Sequence, residues 1–301
     1  MDDQFATRKK IITNVTLAGS FVSFVLTITK IIFGIIGKSQ ALIADGIHSL
    51  SDLGTDFITI CGSIFSNKPI DEDHNYGHGK IETLVSFIEG LVLFGVGLLI
   101  FKNGSESIYK VLFKNYSIPV PNIITIFIAI LSIVSKEILY NYTIFYSKKV
   151  DSTSLNAKAW HHRSDAFSSI GVAVGIGGAI ILGNKWTILD PIASLVVSFL
   201  IIRVAIDIIK SSVNELVEVS LPKEQNEKIY EIAHNTEGVE NTHKLRTRKV
   251  GTNIVIDLQI IINGDKTIRE GHKIAHKVVD NLKKEFGNEI IVNTHVEPHL
   301  N

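Results

Sequence analysis

Between Ala44 and Asp56 the chain reads ADGIHSLSDLGTD, placing four ionisable groups inside an apolar stretch that runs from Leu42 to Phe65. Asp45, His48, Asp52 and Asp56 follow one another at intervals of three, four and four residues, so on a helix they form a single stripe. In a membrane span such a stripe is costly against lipid. It belongs in a bundle interior or a water-filled cavity, and it marks a functional site. His48 and Asp52, one turn apart, can reach the same metal ion.

The pair recurs. Ser154 to Ser169 reads SLNAKAWHHRSDAFSS and opens another apolar segment, with His161 and Asp165 again at i and i+4. Two helices that each bring an imidazole and a carboxylate make an N2O2 set, which suits a tetrahedral borderline metal, zinc first. One HxxxD alone is a weak signal, equally met by a histidine in a first helical turn and a capping aspartate. Two matched copies on strongly apolar helices give it weight. A further candidate lies in the polar connection SNKPIDEDHNYGHGK, where Asp71, His74 and His78 offer oxygen, nitrogen and nitrogen. The plain alternative there is a solvated turn punctuated by Gly77 and Gly79.

The elements that carry these groups follow from composition and hydropathy. The 301 residues allow two domains, the apolar share is 46%, and mean hydropathy is +0.27. Thirty basic residues balance thirty acidic ones, which excludes nucleic acid as the expected partner. The one cysteine, Cys61, excludes an intrachain disulfide and any CxxC site. Metal chemistry must therefore rest on His, Asp and Glu, which argues against copper(I). No cleavable signal peptide is expected, because the first apolar segment is long and no small-residue cleavage site follows it.

Six apolar segments are long enough to cross a bilayer: Ile11 to Ile36, Leu42 to Phe65, Ile81 to Phe101, Asn122 to Tyr146, Ser154 to Leu182 and Thr187 to Ile209. Met1 to Lys10 reads as a polar segment before them, and Lys148 to Asp151 as a tight turn. Glu89, Lys136 and Glu137 lie at depth, where structural pairing is expected before a proton path. Gly171, Gly175, Gly177 and Gly178 should let neighbouring helices approach. Six spans put both termini on one side. Arg8, Lys9, Lys10, Lys68, Lys80, Lys148, Lys149, Lys158 and Lys210 flank that side, against Lys38, Lys102, Lys110, Lys114 and Lys185 towards the other, and mark it as cytoplasmic.

After Ser211 the character changes. Pro222 to Asn235 reads as a helix, His243 to Val250 and Asn253 to Ile262 as a hairpin about Gly251, Thr267 to Phe286 as an amphipathic helix, and Glu289 to Val296 as a strand. The order αββαβ predicts a small α+β domain with its helices on one face of a three-stranded sheet. His243 opens one strand, and His295 with Glu297 closes another, so neighbouring strand ends could assemble a site.

The order HSLSD, YGHGK, HHRSD, a DP pair opening the sixth span, and THVEP resembles the cation diffusion facilitators over about residues 10 to 298. The resemblance implies a homodimeric transporter with a six-helix membrane region (about 11–211) and a cytoplasmic metallochaperone-like domain (about 212–301). It implies that His48, Asp52, His161 and Asp165 are transport-site ligands, in the zinc-preferring pattern, and that metal leaves the cytosol in exchange for protons. Asp71, His74 and His78 match a loop site. His243, His272, His295 and Glu297 match a cytoplasmic cluster that would bind regulatory zinc. Gln259 stands where many members carry a bridging histidine; an amide oxygen is a poorer zinc ligand, which counts against a full two-metal cluster. Lys80 and Glu218 match a charge interlock between the third helix and the linker. The short N-terminal segment and the lack of a His-rich loop resemble prokaryotic members, which places the chain in a cell (inner) membrane. Iron(II), cobalt(II), cadmium(II) and manganese(II) are the alternative cargoes.

Two other classes compete. A membrane metalloenzyme should show HExxH or a base beside an open metal position; no HExxH occurs, and all four positions serve as ligands. A metal sensor without transport would need only the soluble cluster and leaves the paired intramembrane motifs unexplained.

Overall fold

The computed structural model describes residues 2–66, 71–74, 77–114, 116–150, 152–183, 186–251, 253–287 and 290–299, without the side chains of 2–9, 56–66, 153 and 154. The side chains of Asp56 and Cys61 therefore lie outside the described residues. The chain forms two compact units, residues 1–57 with 89–207, and residues 58–88 with 208–301.

Six long helices come first: α1 (Asp2–Ile36), α2 (Gln40–Ser66), α3 (Gly79–Lys114), α4 (Ile123–Val150), α5 (Thr153–Ile181) and α6 (Leu189–Leu216). Among the described residues, α1 from Lys10, α3, α4, α5 from Leu155 and α6 are long and apolar enough to cross a membrane. Their outward faces carry bare aromatic side chains, with Phe21 at 69%, Phe127 at 62% and Phe199 at 63% exposure. Such faces suit lipid rather than water. This is a helical transmembrane region.

Three boundaries differ from expectation. α1 begins at Asp2, so the polar start is helical. Lys148 to Val150 are the last turn of α4 rather than a reversal, and Ser152 caps α5 by accepting from Leu155 N at 3.3 Å. α6 runs on to Leu216 before Glu218 turns the chain at φ +61°. Hydropathy marks where apolar sequence ends, whereas helical hydrogen bonding continues through exposed polar turns.

Close packing and capping aim α2 and α5. Gly175 of α5 lies where a Cβ would stand 2.4 Å from that of Ala193 on α6, so only glycine allows this approach, whereas Gly171 faces open space. At the start of α2, Ser39 Oγ accepts from Leu42 N at 3.1 Å. The buried carboxylate of Asp190, from α6, accepts from Gln40 N at 2.7 Å and from Ser39 Oγ at 2.6 Å. The orphan donors of the α2 N-terminus are thus met from another helix.

The second unit carries α7 (Lys223–His234), β1 (Asn241–Val250), β2 (Asn253–Ile262), α8 (Ile268–Phe286) and β3 (Ile291–Pro298). The sheet order is β1-β2-β3, with β1 antiparallel and β3 parallel to β2. Ile256, Leu258, Ile260 and Ile262 of β2 pack into a core with Ile229 of α7 and Val278 and Leu282 of α8. By the two-residue period of a strand, Asp257 and Gln259 point to the opposite face. A capping box of Thr267 and Glu270 fixes the start of α8.

Candidate metal centres

Within the membrane region, α2 supplies His48 and Asp52, and α5 supplies Asp165. Each offers a ligand atom, and the three atoms lie within 4.8 Å of one another. Asp52 Oδ2 is buried and has no hydrogen-bond partner among the described residues. Leaving a buried carboxylate oxygen unmatched is costly unless a cation can reach it. His161 stands at the edge of this group, its Nε2 3.9 Å from Asp165 Oδ1 and its side chain 52% exposed.

A lysine absent from the expected ligand set reaches the same centre. Lys136 of α4 places Nζ 2.8 Å from Asp165 Oδ2 and 3.1 Å from Ser23 Oγ of α1. Asp45, by contrast, is not drawn into the ligand group. It forms a buried ion pair with Lys30 of α1 at 2.8 Å, and Ser169 of α5 donates to it at 3.0 Å. The signal for both lysines was present in the sequence, since each is a lone cation inside an apolar span. Glu89 accepts from Thr55 at 3.3 Å, and Glu137 faces Arg163 at 3.8 Å. His162, beside His161, is buried with neither ring nitrogen hydrogen-bonded among the described residues.

The loop candidate closes fully. Asp71 Oδ1 lies 3.0 Å from His74 Nδ1, Oδ2 lies 3.1 Å from His78 Nε2, and the two rings are 4.2 Å apart. Gly77, at φ +79°, turns the chain so that His78 folds back onto Asp71. Desolvation is the largest single influence and pushes the Asp71 carboxyl upward. Hydrogen bonds from the His74 ring and backbone outweigh it and, with the charges of His74 and His78, hold Asp71 below the usual carboxylate range.

On the open face of the sheet, His243, Gln259 and His295 stand in register across β1, β2 and β3. A bulge after His243, with Lys244 at φ +50°, re-aims the start of β1. His243 Nε2 lies 3.0 Å from Glu297 Oε2, and His295 Nε2 lies 3.6 Å from Glu297 Oε1. Gln259 Oε1 between them is buried with no hydrogen-bond partner among the described residues. His272 is not brought to this group. It is exposed on α8, its ring 4.4 Å from that of His276, beside a cavity of about 600 Å³ shared with Thr294 and Val296. Lys80 and Glu218 do meet, at 2.8 Å, and that contact holds Glu218 below its ordinary range.

Apolar spans that hold a histidine-carboxylate group, followed by an α+β domain with a second such group, suit a membrane transporter of metal cations. The family comparisons agree: residues 16–217 match the cation efflux transmembrane domain, and residues 221–299 match the cation efflux protein cytoplasmic domain. The chain belongs to the cation efflux family, the cation diffusion facilitators. Among its relatives is the manganese efflux system protein MneP of Bacillus subtilis, 33% identical over 97% of this chain and 98% of its own. MneS of the same organism, also a manganese efflux system protein, is 32% identical over 93% and 95%. The magnetosome protein MamB of Magnetospira is 29% identical over 92% of each chain. A solved nickel form of a MamM CTD variant aligns with 26% of this chain and 100% of its own, at 22% identity and a TM-score of 0.25.

Proposed function

We propose that this protein exports a divalent transition metal from the cytosol in exchange for protons, through a site formed by His48, Asp52, His161 and Asp165. The observation that carries the reading is Asp52 Oδ2, without a hydrogen-bond partner among the described residues and buried within one ion's reach of His48 and Asp165. Metal requires neutral imidazole and ionised carboxylate, so protons and metal compete for the same lone pairs. A free histidine titrates near about pH 6.5, a range that a proton gradient can use. Rocking of helices about the site would expose it to one side at a time.

Zinc fits two imidazoles and two carboxylates best. Manganese is the second reading, favoured by the names of MneP and MneS and by the oxygen-rich group of one imidazole and two carboxylates that lies closest together. We place the protein as a homodimer in a prokaryotic cell membrane with both termini cytoplasmic. His243, Gln259, His295 and Glu297 would hold one regulatory ion, which neutralises Glu297 and ties the three strands together. The loop group Asp71, His74 and His78 would hold another.

Proteoliposomes loaded at acidic pH and given zinc, manganese or iron(II) in parallel outside test this reading. Zinc uptake that exceeds the others and collapses with the pH gradient is the expected result. Uptake led by manganese would establish the second reading, and uptake indifferent to the gradient would remove proton exchange.

A further inference from the structure

The transport site already contains a cation of its own. Lys136 is 3% exposed, and its Nζ binds Asp165 Oδ2 at 2.8 Å, an oxygen of one of the proposed metal ligands. Its other acceptor is Ser23 Oγ at 3.1 Å, on α1. α4, which carries Lys136, packs against both α1 and α5, so the ammonium sits between the metal ligand and a neutral acceptor.

We infer that Lys136 is a tethered competitor for the transported metal: it neutralises Asp165 while the site is empty, and it must give up that carboxylate when metal loads. This rests on the transport-site reading above. A divalent ion bridging Asp52 and Asp165 would face the ammonium across a single carboxylate, and like charges in a buried, low-dielectric site repel strongly. Loading therefore draws the ammonium off Asp165 toward Ser23, and its return displaces metal. The tether weakens binding and speeds release, as a transporter needs and a storage site does not.

The second buried lysine gives the contrast. Lys30 is held by Asp45 at 2.8 Å and by Ser49 and Ser169 at 3.1 and 3.3 Å, and Asp45 is outside the ligand group. Lys30 is a structural cation with nothing to compete for. A merely structural Lys136 would lower stability and weaken metal binding when neutralised. A competitor does the reverse to binding.

The test uses the full-length protein with zinc ion as the probe. It reads the calorimetric binding component that Asp52→Ala abolishes, together with KM and maximal flux in proteoliposomes. Lys136→Gln should tighten that component by about tenfold, lower KM, and lower maximal flux as release slows. Lys136→Arg should keep the weaker, wild-type affinity. Ser23→Asp retains the lysine but offers it a second carboxylate, and it should also tighten zinc binding; it decides the matter if Lys136→Gln does not fold. Unchanged or weaker zinc binding in folded Lys136→Gln, or in Ser23→Asp, overturns the inference while leaving the transport site standing. A wild-type protein with no Asp52-dependent binding defeats the transport-site reading itself.

Discussion

The Asp190 carboxylate of α6 accepts a hydrogen bond from the backbone N–H of Gln40 at 2.7 Å, so one helix caps the start of another that carries His48 and Asp52. Asp190 is 1% exposed and also binds Ser39. Asp190→Ala should lower stability by about 2 kcal/mol, because it strips a buried N-terminus of its cap. Thermal unfolding of the purified protein checks this. The metal preference of residual transport should not change, since the cap aims α2 without touching the cargo.

Lys30 and Asp45 form a closed pair in the same region. Removing one partner leaves a buried charge unmatched, so Lys30→Met or Asp45→Leu alone should cost about 3–5 kcal/mol. Their combination should recover most of that loss. A double-mutant cycle on unfolding measures the coupling, and additive losses would show that the two side chains act independently.

Asp71 gives the pH prediction. Its folded pKa is depressed, so its contribution to the loop is complete above the unfolded carboxylate value of about 3.9 and is lost as pH falls through the lower folded value. Carboxyl NMR should place the Asp71 midpoint below its ordinary value, and His74→Ala should raise it.

On the sheet, Gln259 lies in register between His243 and His295. Gln259→His should strengthen zinc binding by the soluble group, because it replaces an amide oxygen with no partner among the described residues by a better zinc donor. Calorimetry on the full chain, referenced to His295→Ala, reads the difference.

What the sequence made legible was periodic. HxxxD on α2 put His48 and Asp52 on one helix face because residues one turn apart share it, and Asp165 of the second HxxxD lies with them within 4.8 Å. The alternating pattern of β2 likewise separated Gln259 from the core. What escaped depended on how helices rotate against one another. Asp45 shares the stripe with Asp52 yet pairs with Lys30, because α1 presents a cation at that turn. Lys136 was legible as a buried charge, but its partner was not, since Asp165 lies on another helix. His272 matched by order along the chain, but α8 carries it beside the helix-facing residues Thr294 and Val296, whereas His243 and His295 flank Gln259 on the open face.

The central claim is that metal crosses the membrane through the Asp52 and Asp165 carboxylates, and zinc flux into acid-loaded proteoliposomes tests it most directly. Wild-type protein should move zinc, while Asp52→Ala and Asp165→Ala, each inserted at equal density and folded, should fall to the level of empty liposomes. Flux that survives either substitution unchanged would contradict the account.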